Sequence, residues 1–398
     1  MESTIEQLLN KLNNINASIN TTVNELEESS EEDIKIDIDA PKVIIDRHDL
    51  LTIMNICSTI IQTKSDNIVY SSLTFISNKT LKIFSTNELS QFISDIKVIG
   101  ENSLDLVFSI PLVILQRLTK LMGKKVMFFI SDNKLYIRLL SGDLLLDLRI
   151  PNEKLLRLPI SDSDINESFE IPVNSFGRVI TSILPLLSTE IRTDARKILF
   201  LGEKSYYLSP YYYIESYIKT PCMSLRMKDA EVISKIAKNY QDKNFLISTI
   251  NSIIPRIKLK IDNITYIFIS GNASMDNVID SQISKMIQPT SAIFNFDRFN
   301  KIINLATLLP NSTGDVKIKI EDSSIYIYII SNSGESKFNI PCEILNTESS
   351  NKLISLCAEP LKKLLISFNN SSKIGIAITD FGIILENEGI RAILMHND

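Results

Sequence analysis

The run Phe169-Glu170-Ile171-Pro172-Val173-Asn174-Ser175-Phe176-Gly177-Arg178-Val179-Ile180-Thr181-Ser182-Ile183-Leu184 changes period in the middle. Phe169-Glu170-Ile171 reads as a short strand. From Asn174 the apolar residues recur at helical spacing, and Asn is a residue type that caps helix starts. The same transition can be placed six times, with helices opening at Asp49, Pro111, Asn174, Lys228, Asp297 and Glu359. The intervals are 62, 63, 54, 69 and 62 residues. Spacing this regular marks internal repetition, which takes precedence over any single motif.

Each repeat has one grammar. A short strand precedes the helix: Val43-Ile44-Ile45, Leu106-Val107-Phe108, Phe169-Glu170-Ile171, Ser224-Leu225-Arg226, Ile293-Phe294-Asn295-Phe296 and Leu353-Ile354-Ser355-Leu356. Alternating strands follow it. Leu135, Ile137 and Leu139 alternate with Tyr136, Arg138 and Leu140. Ile257, Leu259 and Ile261 alternate with Lys258, Lys260 and Asp262. Val316, Ile318 and Ile320 alternate with Lys317, Lys319 and Glu321. Such alternation is half-buried sheet. One helix per repeat cannot cover both faces of a parallel sheet. The expected fold is therefore α+β, with antiparallel sheets outside and two helices per domain inside. Pairing the repeats in order gives three domains, 41–160, 161–289 and 290–398. Residues 1–40 stand apart: Ile5, Leu8, Leu9, Leu12, Ile15 and Ile19 suggest a short helix, followed by the acidic run Glu25 to Asp33. They read as an extension that is either a solvated tail or a partner-binding helix.

Charge is distributed unevenly. The chain has 398 residues and a net charge of −5. Six windows that cover the helices, 49–64, 111–125, 174–188, 228–243, 297–309 and 359–369, hold 14 Lys and Arg against six Asp and Glu. Their net of +8 leaves −13 on the remainder. In the second window Ile114, Leu115, Leu118, Leu121 and Met122 form the expected buried stripe, with Arg117, Lys120 and Lys124 opposite. In the fourth, Ile233, Ile236, Ala237 and Tyr240 face inward while Lys228, Lys235 and Lys238 share the outer face. Most helix acids lie in first turns, where they answer the helix dipole. One amphipathic helix with a charged face is ordinary. Six of one sign in an acidic chain point to a surface that meets phosphates without reading bases. The candidate contacts are Lys64, Arg117, Lys120, Lys124, Lys125, Arg178, Arg196, Lys235, Lys238, Arg298, Lys301, Lys362 and Lys363.

At this point the chain resembles the bacterial-type sliding clamp, the beta subunit of the replicative polymerase, over about residues 41–398. The stretch from Phe169 resembles that family's second domain: a strand, an apolar helix, then Ser188, Arg196 and a strand ending in Gly202. The ending Ile390-Arg391-Ala392-Ile393-Leu394-Met395-His396-Asn397-Asp398 resembles its C-terminus. The resemblance implies a head-to-tail homodimer around double-stranded DNA. It also implies a hydrophobic pocket that takes short peptide motifs of the polymerase and the clamp loader. By position the pocket would involve Leu208, Tyr211, Tyr213, Ile214, Ile393 and Met395. Three departures stand out: the extra 40 residues, Ser209-Pro210-Tyr211-Tyr212-Tyr213 where the family has a Gly-His-Arg-type turn, and the polar last three residues.

Other classes are disfavoured. The two histidines, His48 and His396, lie far apart, and His chemistry needs a partner within reach. Gly123-Lys124-Lys125 lacks the upstream Gly and the hydroxyl of a phosphate loop, and G-x-G-x-x-G and G-x-S-x-G do not occur. Acid pairs such as Asp37/Asp39 and Asp162/Asp164 fall in linker-like segments. No catalytic residue, metal or cofactor is expected. Cys57, Cys222, Cys342 and Cys357 form no C-x-x-C pair and read as free thiols. Tyr206, Tyr207, Tyr211, Tyr212, Tyr213 and Tyr217 form a cluster suited to packing, to a protein hot spot or to base stacking. No apolar run approaches the roughly 20 residues of a membrane span, and the N-terminus lacks signal-peptide character. The expected place is the cytoplasm, or the host cytoplasm or nucleoid if the Ile/Asn/Lys-rich composition reflects a viral genome. The reading is a replication processivity factor. The alternative is a clamp-fold protein serving transcription or acting as a structural partner ring.

Overall fold

A computed structural model describes residues 40–146, 148–151, 165–189, 197–209, 211–250, 254–271, 288–309, 312–331, 334–346, 352–369, 371–387 and 389–395. The N-terminal extension, Arg196 and the tail from His396 lie outside them. Six helices begin within two residues of the expected starts: α1 (Arg47–Cys57), α3 (Leu112–Leu118), α4 (Val173–Thr189), α5 (Met227–Asn239), α6 (Phe296–Leu308) and α7 (Ala358–Leu365). A one-turn helix, α2 (Ile68–Ser71), is additional. Capping explains several starts. The Asp46 carboxylate accepts from the His48 N–H at 2.6 Å, and the Asn295 amide oxygen from the Arg298 N–H at 3.1 Å. At α3, Pro111 holds the N-cap position with no side-chain bond.

Each of the six, unlike α2, is entered directly from a strand: β1 (Lys42–Asp46), β5 (Leu106–Pro111), β9 (Ile165–Pro172), β13 (Met223–Arg226), β17 (Ala292–Asn295) and β21 (Leu353–Cys357). Three antiparallel strands then follow. After α1 come β2 (Ser72–Asn78), β3 (Thr80–Thr86) and β4 (Ser90–Ile96). After α3 come β6 (Lys125–Ser131), β7 (Lys134–Leu139) and β8 (Gly142–Leu146). After α4 come β10 (Lys197–Phe200), β11 (Lys204–Leu208) and β12 (Tyr212–Tyr217). After α5 come β14 (Asn244–Ile250), β15 (Arg256–Ile261) and β16 (Ile264–Ile269). After α6 come β18 (Ser312–Glu321), β19 (Ser324–Ser331) and β20 (Gly334–Ile344). After α7 come β22 (Lys373–Thr379), β23 (Gly382–Asn387) and β24 (Ile390–Met395). Except for β17, which also pairs with β20 of its own repeat, the entry strand of each repeat does not join its own three strands. It pairs with those of its partner repeat: β1-β6-β7-β8 and β5-β2-β3-β4, β13-β10-β11-β12 and β9-β14-β15-β16, β17-β22-β23-β24 and β21-β18-β19-β20. Adjacent repeats are thus interlocked in three reciprocal pairs.

The described residues divide into two compact units. One holds those below residue 160 with the Asp262–Thr265 turn; the other holds the remainder. In the first unit the core centres on Phe75, Phe108 and Phe128, with the first two rings stacked at 4.9 Å. The second unit contains the other two reciprocal pairs. One is built around Phe176, Phe200 and Phe245, the other around Phe294 and Phe299. Helices α4 and α5 approach so closely at Gly177 that a Cβ there would sit 2.8 Å from that of Ala237. Strands β12 and β24 join the two pairs, with Tyr213 opposite Ile393 and Glu215 opposite Arg391. One twelve-stranded sheet results.

Candidate functional site

The cationic residues divide by element. Arg117 on α3, Arg178 on α4, Lys238 on α5, and Arg298 and Lys301 on α6 are exposed, and Lys235, Lys362 and Lys363 are half-buried on their helices. The Lys362 ammonium donates to the Thr307 hydroxyl at 3.0 Å, tying α7 to α6. Lys120 lies in a 3-10 turn, Thr119–Leu121, that follows α3.

Three expected helical cations are not on helices. Helix α1 ends at Cys57, and Lys64 sits in the loop beyond it. Thr59, Ile60, Ile61 and Thr63 make that stretch β-branched, which disfavours helix. Lys124 and Lys125 are excluded from α3 because β6 must start at Lys125 to meet Asp46 of β1. The shorter helix also changes its buried face. Leu112, Leu115, Leu118 and Met122 are buried, whereas Ile114 and Leu121 of the expected stripe are exposed. On α5 the expected face holds for Ile233, Ile236 and Ala237, while Tyr240 is a half-buried C-cap. Its first-turn acid Asp229 is fully buried. It pairs with Arg226 at 2.7 Å and accepts from the Tyr266 hydroxyl at 2.6 Å.

The six expected pocket residues meet at the β12–β24 seam but face different ways. Tyr213 and Ile393 are buried with Ala377 and Ile384, and Leu208, Tyr206 and Met395 pack against them. Ile214 alternates to the opposite face and is fully buried. Tyr211 is exposed. With Leu356, Pro360, Leu394 and Met395 it lines a cavity of about 230 Å³, to which Asp315, Ser355 and Cys357 also contribute. Met395 therefore belongs to both the buried cluster and the cavity wall. Leu356, Cys357 and Pro360 come from a different repeat than Tyr211, the one that also holds Met395, and carried no pocket signal in the sequence.

Under the seam lies a buried ionic group. Glu215, 1% exposed, accepts from Arg391 at 2.9 Å, from the Tyr213 hydroxyl at 3.1 Å and from Lys204 at 3.5 Å. Arg391 also reaches Glu386 at 3.1 Å. Burial pulls the Lys204 ammonium down, but Glu215 and nearby tyrosines more than offset it, and the net shift is upward. Burial, with Tyr207 beside it, holds the Tyr212 phenol above its ordinary range. That phenol donates to the Pro360 carbonyl at 3.3 Å, pinning β12 to the start of α7. Of the tyrosine cluster, Tyr207, Tyr212 and Tyr213 are buried, and Tyr217 lies under the Lys204 ammonium at 4.8 Å. A second cavity of about 220 Å³ lies beside α4, lined by Arg178, Ser182, Asn369 and Asn387 among others.

Among the described residues, no group of three or more His, Cys, Asp or Glu could hold a metal ion, and no helix is long and apolar enough to cross a membrane.

No protein-family model matches the chain, and no curated protein matches it in sequence. Solved structures do match. The DNA polymerase III beta subunit of Thermotoga maritima superposes with a TM-score of 0.71 at 12% identity, covering 89% of this chain and 98% of that one. That of Borrelia burgdorferi, in complex with a natural product, gives 0.71 at 14% over the same shares. The Helicobacter pylori beta clamp bound to a DNA ligase peptide gives 0.70 at 12%, covering 89% and 99%. The likeness is one of fold, and over nearly the whole length of those proteins this chain folds as a DNA polymerase III beta sliding clamp does.

Proposed function

We propose that the protein is a sliding clamp: it closes as a head-to-tail dimer around duplex DNA and tethers a polymerase and other clients to it, without catalysis of its own. The observation that carries the reading is the match to beta clamps over 98–99% of their chains. Three features support it. The exposed helix cations give sequence-independent phosphate contact, weak enough to slide and sensitive to salt. The cavity at Tyr211, Leu356 and Met395 offers a concave site of mixed apolar and polar lining for a short peptide. Several strands have an open edge among the described residues, and two of these are accompanied by exposed leucines. They are β8, in the first unit, and β20 over Gly334–Pro341, in the second. Exposed leucines accompany each: Leu144 and Leu145 on β8, and Leu305 and Leu308 on α6, which packs against β20. A contact between different surfaces that closes on itself after two copies yields a ring.

The test is topological. Loaded protein should remain on a nicked circle in high salt and leave when the circle is cut; equal retention on circle and linear DNA would refute the reading. Arg117→Glu with Lys120→Glu should slow loading while the circular dichroism spectrum stays unchanged, because both side chains are exposed.

A further inference from the structure

The sheet formed by the three strands after α6 has two unlike faces. Val316, Ile318 and Ile320 of β18 and Ile325, Ile327 and Ile329 of β19 are buried, and α6 and α7 pack against β18. Alternation sends the residues between them to the opposite face. The ladder register sets these in two adjacent rows, Lys317, Tyr328 and Lys337 in one and Lys319, Tyr326 and Asn339 in the next. Lys337 and Asn339 are exposed, and the other four are half-buried. The acids lie outside both rows. Glu321 is beyond one end; Glu335, opposite Ile330, and Asp315 are beyond the other. The middle of the face thus carries lysines and tyrosines without a carboxylate.

The chemistry of this face defines what would cover it. Lys319 pairs with Glu321 at 2.8 Å, whereas the Lys337 ammonium lies over the Tyr326 ring at 4.1 Å and the Tyr328 ring at 5.5 Å. That ammonium ends an exposed, flexible stem, so swinging it onto an anion uncovers the rings. Two positions along a strand set the rings about 7 Å apart, so each can take its own planar partner. Aromatic faces for bases, with lysines beside them for phosphates, make a platform for a single strand. An antiparallel sheet with aromatics on its central strands is one form such a platform takes. Bases inside a duplex are stacked on one another and cannot use the rings. The tyrosines of β11 and β12 differ: Tyr213 is buried, and its hydroxyl donates to the Glu215 carboxylate. Pairing of the β20 edge with a second copy would run in the plane of the sheet and leave this face open.

We infer that the outward face of β18, β19 and β20 binds single-stranded DNA, with bases stacked on Tyr326 and Tyr328 and phosphates met by Lys317, Lys319 and Lys337. The choice of DNA rests on the clamp reading above, because a ring on duplex DNA that is being copied lies beside an unpaired strand. The contacts are indifferent to sequence, since every base has a ring face.

Fluorescence anisotropy on the full chain tests it, comparing a labelled short oligothymidylate with an abasic strand of the same length. The thymidylate should bind about tenfold more tightly, the effect of stacking on one or two rings. Tyr326→Leu with Tyr328→Leu should remove that preference and leave affinity for the abasic strand unchanged, which also shows that the variant is folded. Lys317→Gln with Lys337→Gln should keep the preference and flatten the slope of log affinity against log salt by about 1.4, as expected for two phosphate contacts on a single strand. Arg117→Glu with Lys120→Glu, in the other unit, should leave the preference in place. Equal binding of the two strands, a preference that survives in the tyrosine variant, or one lost in the Arg117 variant would overturn the inference. So would tighter binding of an oligouridylate RNA or of an oligoglutamate, which would assign the face to RNA or to an acidic protein segment. The same preparation is assayed for retention on circular DNA. Retention without the stacking preference refutes the single-strand site alone, whereas the preference without retention supports that site and refutes the clamp.

Discussion

The β12–β24 seam and the open edges of β8 and β20 are made from the same alternating strands, yet they behave in opposite ways. At the seam every inward position is filled: Tyr213 and Ile393 pack together, and the one buried carboxylate, Glu215, has three donors. At β8 the first four residues are exposed, Leu144 and Leu145 among them, and Leu308 near β20 is 75% exposed. Apolar side chains left at a strand edge are a hazard unless a partner covers them. The difference teaches which joints the chain completes alone and which the proposed dimer would close with a second copy.

The largest expected effect is on the open joint. Leu308→Asp places a charge where the proposed dimer buries a leucine, and should convert the dimer to a monomer of 45.0 kDa by light scattering at micromolar concentration. Because Leu308 is exposed within the single chain, urea unfolding of the monomer should be unchanged. An unaltered dimer mass would move the proposed joint elsewhere.

The closed joint should fail in the other way, through folding. Glu215→Ala leaves Arg391 in the seam with Glu386 but without its second carboxylate, and breaks the link to Lys204. Removing one member of a buried pair costs about 3–5 kcal/mol. The loss should appear as a lower urea midpoint for the second unit, with the first unit's transition in place. A smaller effect is expected at Gly177→Val. The added methyls must displace Ala237 or part α4 from α5, at about 1–3 kcal/mol for overpacking. Gly177→Val combined with Ala237→Gly should recover part of that loss.

These sites also show what was legible in the sequence. The helix starts, the entry strands and the alternation of Val316, Ile318 and Ile320 were readable because they depend on local periodicity and capping. The exchange of entry strands between repeats was not, because β1 could satisfy its backbone equally well against β2 or β6, and only packing decides. The same limit hid the cavity: Tyr211 and Met395 could be proposed by position, but Leu356, Cys357 and Pro360 reach it from a repeat nearly 150 residues away from Tyr212. The helical placing of Lys124 and Lys125 failed for a related reason. Their helical pattern was overridden by the demand that Lys125 pair with Asp46.

The smallest effect belongs to Lys204, the most solvated member of the ionic group, with its side chain 35% exposed. Its pKa is raised in the fold, since Glu215 and the tyrosines outweigh burial. A raised base contributes stability that is fully present below its unfolded pKa, about 10.4, and is lost as pH climbs through the higher folded value. The seam should therefore be insensitive to Lys204 titration between pH 6 and about 9, and should weaken only in stronger alkali. Lys204→Met removes this dependence and costs little at neutral pH, at most about 1 kcal/mol for a partly exposed pair. Comparing urea midpoints of wild type and Lys204→Met from neutral pH to alkali checks it: the two curves should converge as pH rises. If they stay parallel, Lys204 serves the seam through its contact with the Tyr217 ring and the packing of its stem, and Arg391 alone neutralises Glu215.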